Sequence, residues 1–355
     1  MGSQERADPR MTALPATMQA VQLTRHGGPE ALLWREDIAV PRPAEGEVLV
    51  RVLAAGVNMT DINTRIGWYG GEGRAAAWAG EMAFPRIQGS DLCGRIVALG
   101  AGVSGLTLGA RVICPTNQPE PTADNPIAFV SIGSEFDGAF AQYCLVKARH
   151  LHDVSASKLS DIEIGAMPCA YGTAHNLLSR AEVAVGERVL VTGASGGVGL
   201  AAVQLALLRG AEVTGQCSLS KSAELRAMGA QILARETEPR PKCFDVVIDV
   251  VGGDLWQTRL DALRPGGRYA TSGAVAGPMV RGDLRRIYLN DLTIHGATHQ
   301  SREVFAGLVT IINTARIRPV VGQTYPLRDI ARAQADLAAG RFAGKLVLIP
   351  TETSL

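Results

Sequence analysis

The stretch from Arg188 to Leu208, RVLVTGASGGVGLAAVQLALL, combines an apolar strand, a glycine-rich turn and the start of a helix. A pyrophosphate can bind the backbone N–H groups at a helix N-terminus if no Cβ atom blocks its approach. The turn matches G-x-G-x-x-G with alanine in the first slot, in the strand-turn-helix context that this motif requires. A glycine turn without a ligand is the alternative. The predicted dinucleotide site comprises Ala194, Ser195, Gly196, Gly197, Val198 and Gly199.

The end of the next strand indicates which dinucleotide binds. An acidic side chain about 20 residues after the glycine motif would accept from the ribose 2′-OH and repel a 2′-phosphate. The strand here ends TGQCS at residues 214–218, without an acid. Ser218 and Lys221 can instead meet a phosphate as a hydroxyl donor and a point charge. This pattern favours NADPH over NADH. The alternative is that Ser218 and Lys221 only form the solvated start of a helix.

The composition narrows the class of protein. Of 355 residues, 46% are hydrophobic and 19% charged, with a formal net charge of +1. Such a chain has no global bias toward nucleic acid or anionic membranes, so we expect a small-molecule substrate. The first seventeen residues lack the apolar block of a signal peptide, and no segment reaches the roughly 20 apolar residues of a membrane span. The six cysteines form no C-x-x-C pair, which favours a reduced, cytoplasmic protein.

The spacing of apolar residues, glycine and proline along the chain predicts four segments. Residues 1–17 are expected to be a disordered extension, and residues 18–160 a mostly antiparallel β domain, with short strands such as Glu47–Ala54 and Gly94–Leu99. Trp68–Pro85 and Pro115–Phe136 are expected to be long irregular loops, either functional or disordered. Residues 316–355, with strand-like segments at Arg318–Val321 and Lys345–Ile349, are expected to return to the first domain.

Residues 161–315 alternate between strand and helix patterns. Six strands separated by helical segments predict an α/β domain with an open, doubly wound parallel sheet. The six predicted strands are Arg188–Thr192, Glu212–Gln216, Gln231–Ala234, Val246–Val250, Arg268–Ser272 and Leu292–Ala297.

Three segments together, VTGASGGVGLAAVQLA, GSDLCGRIVALGAGVSGLTLGARV and GVNMTDINTRIGWY, resemble the medium-chain dehydrogenase/reductase superfamily, and the zinc-free quinone oxidoreductase and enoyl reductase branch in particular. The resemblance implies a Rossmann domain joined to a GroES-like catalytic domain, and a homodimer in which nucleotide-domain strands pair edge to edge. It also implies further cofactor contacts. Thr173 would lie near the nicotinamide and Lys345 near the pyrophosphate, with Ser272 and Gly273 at the end of the fifth strand. Thr173 could instead bond its own backbone, and Lys345 could be a solvated lysine.

Relatives that hold catalytic zinc bind it through three protein ligands with one position open. The corresponding positions here are Asn58, Ser90 and Cys169, so only one thiol remains. The stretch that corresponds to the relatives' structural zinc loop, residues 115–136, contains no cysteine. The sequence therefore predicts a protein without zinc.

Without a metal, hydrogen-bond donors must stabilise the charge that develops on a carbonyl oxygen during hydride transfer. Asn58 and Thr60 occupy the metal and proton-relay positions of the zinc relatives and are the predicted donors. Zinc-free relatives often carry a tyrosine where this chain has Asn63, and this departure leaves the proton donor open. Tyr69 is a candidate, and the alternative is a loop aromatic that only packs on its neighbours. We expect Trp68, Tyr69 and Trp78 to form an aromatic wall.

Two carboxylates near this centre are expected to be structural. Asp61 is predicted to pair with Arg65 at i and i+4 on a helix. Asp91 takes the place of a carboxylate of the zinc enzymes.

The function expected from these residues is NADPH-dependent reduction of a quinone or an activated alkene without a metal. An alcohol or ketone dehydrogenase of the same superfamily is one alternative, since Thr60 and Asp61 match its motif. A non-catalytic NADPH-binding protein is another. The substrate, the pathway, the proton donor and the oligomeric state are left open by the sequence.

Overall fold

The computed structural model describes residues 14–70 and 82–350. Most of the predicted N-terminal extension, residues 1–13, and Trp78 therefore lie outside the described residues. The chain forms two units. The first consists of the described residues before Ala170, together with Val309–Arg341 and the residues after Lys345. The second consists of Ala170–Leu308 and Phe342–Lys345.

The first unit is built from mostly antiparallel strands. Its central strand is β3 (Glu47–Val57), in which Val50 pairs with Ile96 of β5 (Cys93–Leu99) on one side and with Cys144 of β9 (Tyr143–Lys147) on the other. Val50 and Ile96 are fully buried in the apolar core of this unit. β3 and β5 confirm two of the strands predicted from alternation. The strands are β1 Thr17–Leu23, β2 Leu32–Ala39, β3 Glu47–Val57, β4 Arg86–Ile87, β5 Cys93–Leu99, β6 Arg111–Ile113, β7 Asn117–Pro119, β8 Phe129–Ser131, β9 Tyr143–Lys147 and β10 His152–Asp153.

The second unit contains a six-stranded parallel sheet, whose strands are β11 Arg188–Val191, β12 Glu212–Cys217, β13 Gln231–Ala234, β14 Phe244–Asp249, β15 Leu263–Thr271 and β16 Thr293–Gly296. Their order in the sheet is β13-β12-β11-β14-β15-β16. The order reverses between β11 and β14, and this switch point is where open parallel sheets bind ligands beyond the carboxyl ends of the strands. The predicted doubly wound sheet is thus confirmed.

Two strands follow the parallel sheet, β17 Val321–Pro326 and β18 Lys345–Ile349. Leu346 of β18 pairs with Val57 of β3, so β18 joins the antiparallel sheet of the first unit. The prediction of a strand at Arg318–Val321 was wrong by three residues, because β17 begins only at Val321. The predicted loop Pro115–Phe136 contains the hairpin of β7 and β8, in which Asn117 pairs with Ser131.

The helices are α1 Met59–Arg65, α2 Asp161–Gly165, α3 Pro168–Arg180, α4 Gly197–Leu208, α5 Ala223–Ala227, α6 Trp256–Asp261, α7 Leu284–Tyr288, α8 Arg302–Asn313 and α9 Ile330–Ala338. α4 is apolar around most of its circumference and mostly buried, as a helix that packs on a central sheet must be. Across the described ranges, no helix is both long and apolar enough to span a membrane.

Candidate active site

The glycine loop connects β11 to α4 at the switch point of the parallel sheet. Gly193, two residues after the end of β11, has φ +57°, a left-handed conformation that turns the chain. A Cβ on Gly199 would lie 2.2 Å from the carbonyl oxygen of Gly193, so the first turn of α4 packs directly on the loop backbone. The first-turn N–H groups of α4 have no acceptor within the helix. A cradle that a Cβ atom would fill, at the start of a twelve-residue helix, fits a pyrophosphate.

Ala194 and Ser195 are buried in this loop and fix its position. The N–H of Ala194 donates to the carbonyl of Gln216 on β12 over 3.0 Å. The carbonyl of Ser195 accepts from the N–H of Gly344 over 3.0 Å, and Gly196 and Gly344 form a β-bridge. Val198, in the first turn of α4, is half-buried. The loop is therefore bonded to the backbone on both sides, which leaves its own N–H groups preorganised.

Lys345 lies against the glycine loop, next to Gly344. A Cβ on Gly197 would come within 2.8 Å of Cδ of Lys345, so the aliphatic part of this lysine covers the start of α4. Lys345 is only 3% exposed. The alternative of a solvated lysine was therefore wrong, and its position is compatible with a charge held near the pyrophosphate site.

Ser272 and Gly273 follow β15 at the carboxyl edge of the sheet. Oγ of Ser272 is buried, and no residue in the described ranges is its hydrogen-bond partner. A Cβ on Gly273 would lie 3.0 Å from the carbonyl oxygen of Val250, which follows β14. A buried hydroxyl without a protein partner at the ligand-binding edge fits a polar group of a bound cofactor.

Thr173 is half-buried in α3. The preceding residue, Gly172, accepts a 2.9 Å hydrogen bond at its carbonyl from Nε2 of Gln300, which lies beyond the end of β16. This bond fixes the helix turn that carries Thr173 against the loop after β16.

Ser218 and Lys221 stand at the carboxyl end of β12, as the sequence predicts. Ser218 precedes a 3₁₀ turn at Leu219–Lys221, and the N–H of Lys221 donates back to the carbonyl of Ser218 over 3.0 Å. Oγ of Ser218 lies 3.0 Å from Oγ of Ser220. Glu212 is at the opposite, amino end of the strand, so the carboxyl end of β12 itself carries no acid.

In the first unit, Asn58 caps α1 and is 7% exposed. Its amide Nδ2 donates to Oδ2 of Asp91 over 2.9 Å and to Oγ of Ser90 over 3.2 Å. The sequence predicts Asn58 as a donor to substrate, whereas in the structure its amide donates to Asp91 and Ser90. We therefore infer that Asn58 positions its neighbours.

Asp61 and Asp91 hold this segment together. Oδ2 of Asp61 accepts from the backbone N–H of Asn58 over 2.8 Å, and Oδ1 accepts from the hydroxyl of Ser90 over 2.9 Å. Asp91 is fully buried and also accepts from the backbone N–H of Cys169 over 2.5 Å. Asp61 thus has a structural role through its hydrogen bonds with Asn58 and Ser90. Arg65, the partner that the sequence predicts for Asp61, donates to the carbonyl of Gly27.

Thr60 and Tyr69 form the second polar group of this unit. Oγ1 of Thr60 lies 3.0 Å from the hydroxyl of Tyr69. Burial raises the pKa of Tyr69 to about 12, and hydrogen bonds with Thr60 and Asn63 only partly oppose that effect. The hydroxyl of Tyr69 thus reaches Asn63, the position where zinc-free relatives carry a tyrosine. Trp68, which is 45% exposed, stacks edge-on against Tyr69 at 5.2 Å between ring centroids.

The positions of the three zinc ligands come together around Asp91. Asn58 and Cys169 both donate to its carboxylate, and Ser90 precedes it in sequence. Within residues 14–70 and 82–350 there is no group of three or more histidine, cysteine or acidic side chains that could hold a metal ion.

Comparisons with known proteins match both units. Residues 44–156 match the alcohol dehydrogenase GroES-like domain, and residues 226–348 match the zinc-binding dehydrogenase family. The acryloyl-coenzyme A reductase of Metallosphaera sedula is 31% identical, over 88% of this chain and 95% of the relative. The quinone oxidoreductase of Homo sapiens is also 31% identical, over 94% and 98%.

A solved structure assigned as an alcohol dehydrogenase from Sinorhizobium meliloti 1021 is 43% identical. It superposes with a TM-score of 0.87 over 95% of this chain and 98% of that one. The chain belongs to the medium-chain dehydrogenase/reductase superfamily. The superfamily, its quinone oxidoreductase and enoyl reductase-like branch, and the pairing of a GroES-like with a Rossmann-type fold are thereby confirmed. The protein is an oxidoreductase of a family that uses nicotinamide cofactors.

Sequence reasoning missed two residues of this site. Gly193, one residue before the motif, supplies the left-handed turn that the alanine of the first slot does not. Its position directly after an apolar strand is a signal that could have identified it. Asp249, at the end of β14, accepts from the hydroxyl of Thr192 over 2.5 Å and from the N–H of Val251 over 2.8 Å. Asp249 is the last residue of β14 and fully buried, and no local sequence pattern predicts these partners.

Proposed function

We propose that this oxidoreductase uses NADPH to reduce a quinone or an activated alkene without a catalytic metal. The observation that carries the proposal is the hydroxyl pair of Thr60 and Tyr69, 3.0 Å apart. Reduction of a conjugated C=C bond needs a hydride, which bound NADPH supplies, and a proton at the neighbouring carbon or oxygen. With its pKa raised to about 12, Tyr69 is protonated at neutral pH, and it is the group to which we assign the proton transfer.

The donor set around Asp91 supports chemistry without zinc. An amide nitrogen that already donates to a carboxylate is not a zinc ligand, and a serine hydroxyl is not among the usual ones. With Asn58 and Ser90 in two of the three ligand positions, the developing negative charge on the substrate oxygen must be met by hydrogen-bond donors. Thr60 and Tyr69 are the two hydroxyls that we assign to this task.

Two features support NADPH as the cofactor. The carboxyl end of β12 offers Ser218 and Lys221 and no acid, so a 2′-phosphate meets a hydroxyl and a positive charge. The glycine cradle, Ser272 and Lys345 fit the remainder of a dinucleotide. The relatives named as acryloyl-coenzyme A reductase and quinone oxidoreductase support an unsaturated carbonyl or quinone substrate.

An alcohol or ketone dehydrogenase is the second candidate. It is favoured by the 43% identity to the structure assigned as an alcohol dehydrogenase. The two candidates differ in the bond reduced, so product analysis distinguishes a saturated ketone from an allylic alcohol.

The test is NADPH oxidation by purified protein with quinones, enones and aldehydes in separate assays. We expect turnover with quinones or enones, and loss of it in Tyr69→Phe and Thr60→Val. Tyr288→Phe, which removes a hydroxyl from an exposed tyrosine, is the matched control and should turn over normally. Turnover of aldehydes alone would support the second candidate, and NADPH binding without any turnover would support a non-catalytic protein.

A further inference from the structure

Arg235 stands beside the phosphate-binding end of β12, although it belongs to the neighbouring strand. β12 and β13 are parallel, and Cys217 pairs with Ala234 at their carboxyl ends. The next residue, Arg235, donates its N–H to the carbonyl of Cys217 over 2.8 Å. Arg235 and Ser218 are therefore the first residues beyond the ends of two adjacent strands, at the same edge of the sheet.

The charge of Arg235 acts on this edge. Burial raises the pKa of the Cys217 thiol, and the positive charge of Arg235, followed by that of Arg226, opposes this rise. The side chain of Arg235 is exposed, and within the described residues it forms no ion pair with a carboxylate. An unneutralised guanidinium thus lies near the end of β12, where it can meet an anion.

A cavity of about 110 Å³ opens at the same edge, and Arg235 lines it. Gln216 and Thr237 contribute polar groups, and Pro239 and Leu255 contribute apolar walls. Nε2 of Gln216 donates to the carbonyls of Arg235 and Thr237 over 3.3 and 3.0 Å, which fixes the backbone that carries the arginine. Arg235 is thus held beside a small concave surface.

We propose that Arg235 is the main residue that binds the 2′-phosphate of NADPH, with Lys221 as the secondary contact. This inference rests on the proposed NADPH dependence. A guanidinium offers a planar fork of donors that matches two phosphate oxygens at once, whereas a lysine contributes a single point charge. The acids Glu236 and Glu238 line the same cavity, so the overall charge there does not select the phosphate. Selection comes from the guanidinium of Arg235, whose backbone is bonded to the last residue of β12.

The test measures binding of two small probes by titration calorimetry, without catalysis. Adenosine 2′,5′-bisphosphate carries the 2′-phosphate, and adenosine 5′-monophosphate lacks it. We expect Arg235→Gln to weaken the bisphosphate about tenfold or more, which corresponds to about 1.4 kcal/mol, while the monophosphate dissociation constant stays within about twofold. Arg235→Lys should recover part of the loss. Arg240→Gln, an exposed arginine on the same loop, is the matched control and should bind like the wild type.

The outcomes separate this inference from the proposal on which it rests. If the wild type binds both probes equally, the NADPH preference itself is wrong. If the wild type prefers the bisphosphate and Arg235→Gln keeps the full preference, Arg235 is not the phosphate residue. If Arg235→Gln weakens the binding of both probes equally and leaves the melting temperature unchanged, Arg235 contacts the adenosine. That result would overturn the phosphate assignment.

Discussion

Replacing Asn58 with alanine tests whether this residue positions the site or contacts the substrate. Its amide donates to Oδ2 of Asp91 over 2.9 Å, and Asp91 is fully buried. A hydrogen bond to a buried charged group contributes about 1.5–3 kcal/mol, since its loss leaves the charge less well solvated. We therefore expect Asn58→Ala to lower the free energy of unfolding by about 2 kcal/mol.

A double-mutant cycle with Asp91→Ala isolates the pair. If Asn58 stabilises the carboxylate, the two losses are not additive, and the coupling free energy is about 1–2 kcal/mol. Urea unfolding of the four proteins measures it, followed by fluorescence and by circular dichroism so that separate transitions of the two units are recognised.

Turnover of the same variants completes the test. A positioning role predicts that Asn58→Ala loses stability and turnover together. Unchanged stability, a coupling free energy near zero and turnover lowered on the order of 10²-fold would instead show that Asn58 donates directly to the substrate.

Four further predictions concern individual residues. Tyr69→Phe should lower turnover on the order of 10²-fold and leave the NADPH dissociation constant unchanged. Because burial raises the pKa of Tyr69 to about 12, wild-type turnover should show no loss as the pH passes about 10, where an ordinary tyrosine deprotonates. Gly199→Ala places a Cβ 2.2 Å from the carbonyl oxygen of Gly193. We expect melting curves to show a loss of about 1–3 kcal/mol in the free energy of unfolding, and we expect NADPH to bind more weakly. Unchanged stability and binding would contradict the role of the glycine loop as a pyrophosphate cradle. Burial opposes ionisation of Glu120, but hydrogen bonds from His150 and Arg149 and the charge of Lys147 lower its pKa to about 2. Glu120→Gln should therefore lower the free energy of unfolding by about 1 kcal/mol at neutral pH. Acid titrations of both proteins should show this difference shrinking as the pH falls from about 4.5 toward 2. We also propose that the protein is a homodimer through the edge strand β16, where Ile294 is 41% exposed; light scattering should show a dimer that Ile294→Lys dissociates, and a monomeric wild type would reject this interface.

The fold of the second unit could be predicted because its signals are local. β11 is a short apolar run followed by threonine and glycine, and the glycine loop needs only its own sequence to define a strand, a turn and a helix. The predicted strand Gln231–Ala234 agrees with β13 to the residue. Boundaries failed where no such signal exists: Arg318 to Val321 contains apolar residues that pair with no strand before Val321.

The partners of Asn58 could not be predicted because they come from distant parts of the chain. Asp91 lies 33 residues away and its other donor, Cys169, is a further 78 residues on. A local motif identified the position of Asn58 in the family pattern, but the direction of its amide depends on which side chains the β-sheet brings to it. Thr60 and Tyr69 are only nine residues apart, so their contact could be predicted from the local sequence.

Catalysis without a metal is tested by the steady-state rate of NADPH oxidation by chelator-dialysed protein with a quinone or enone substrate, alongside elemental analysis of the same sample. We expect full turnover in a sample without stoichiometric zinc, and NADH bound at least about tenfold more weakly than NADPH. Turnover that disappears on dialysis and returns only with added zinc would contradict this expectation.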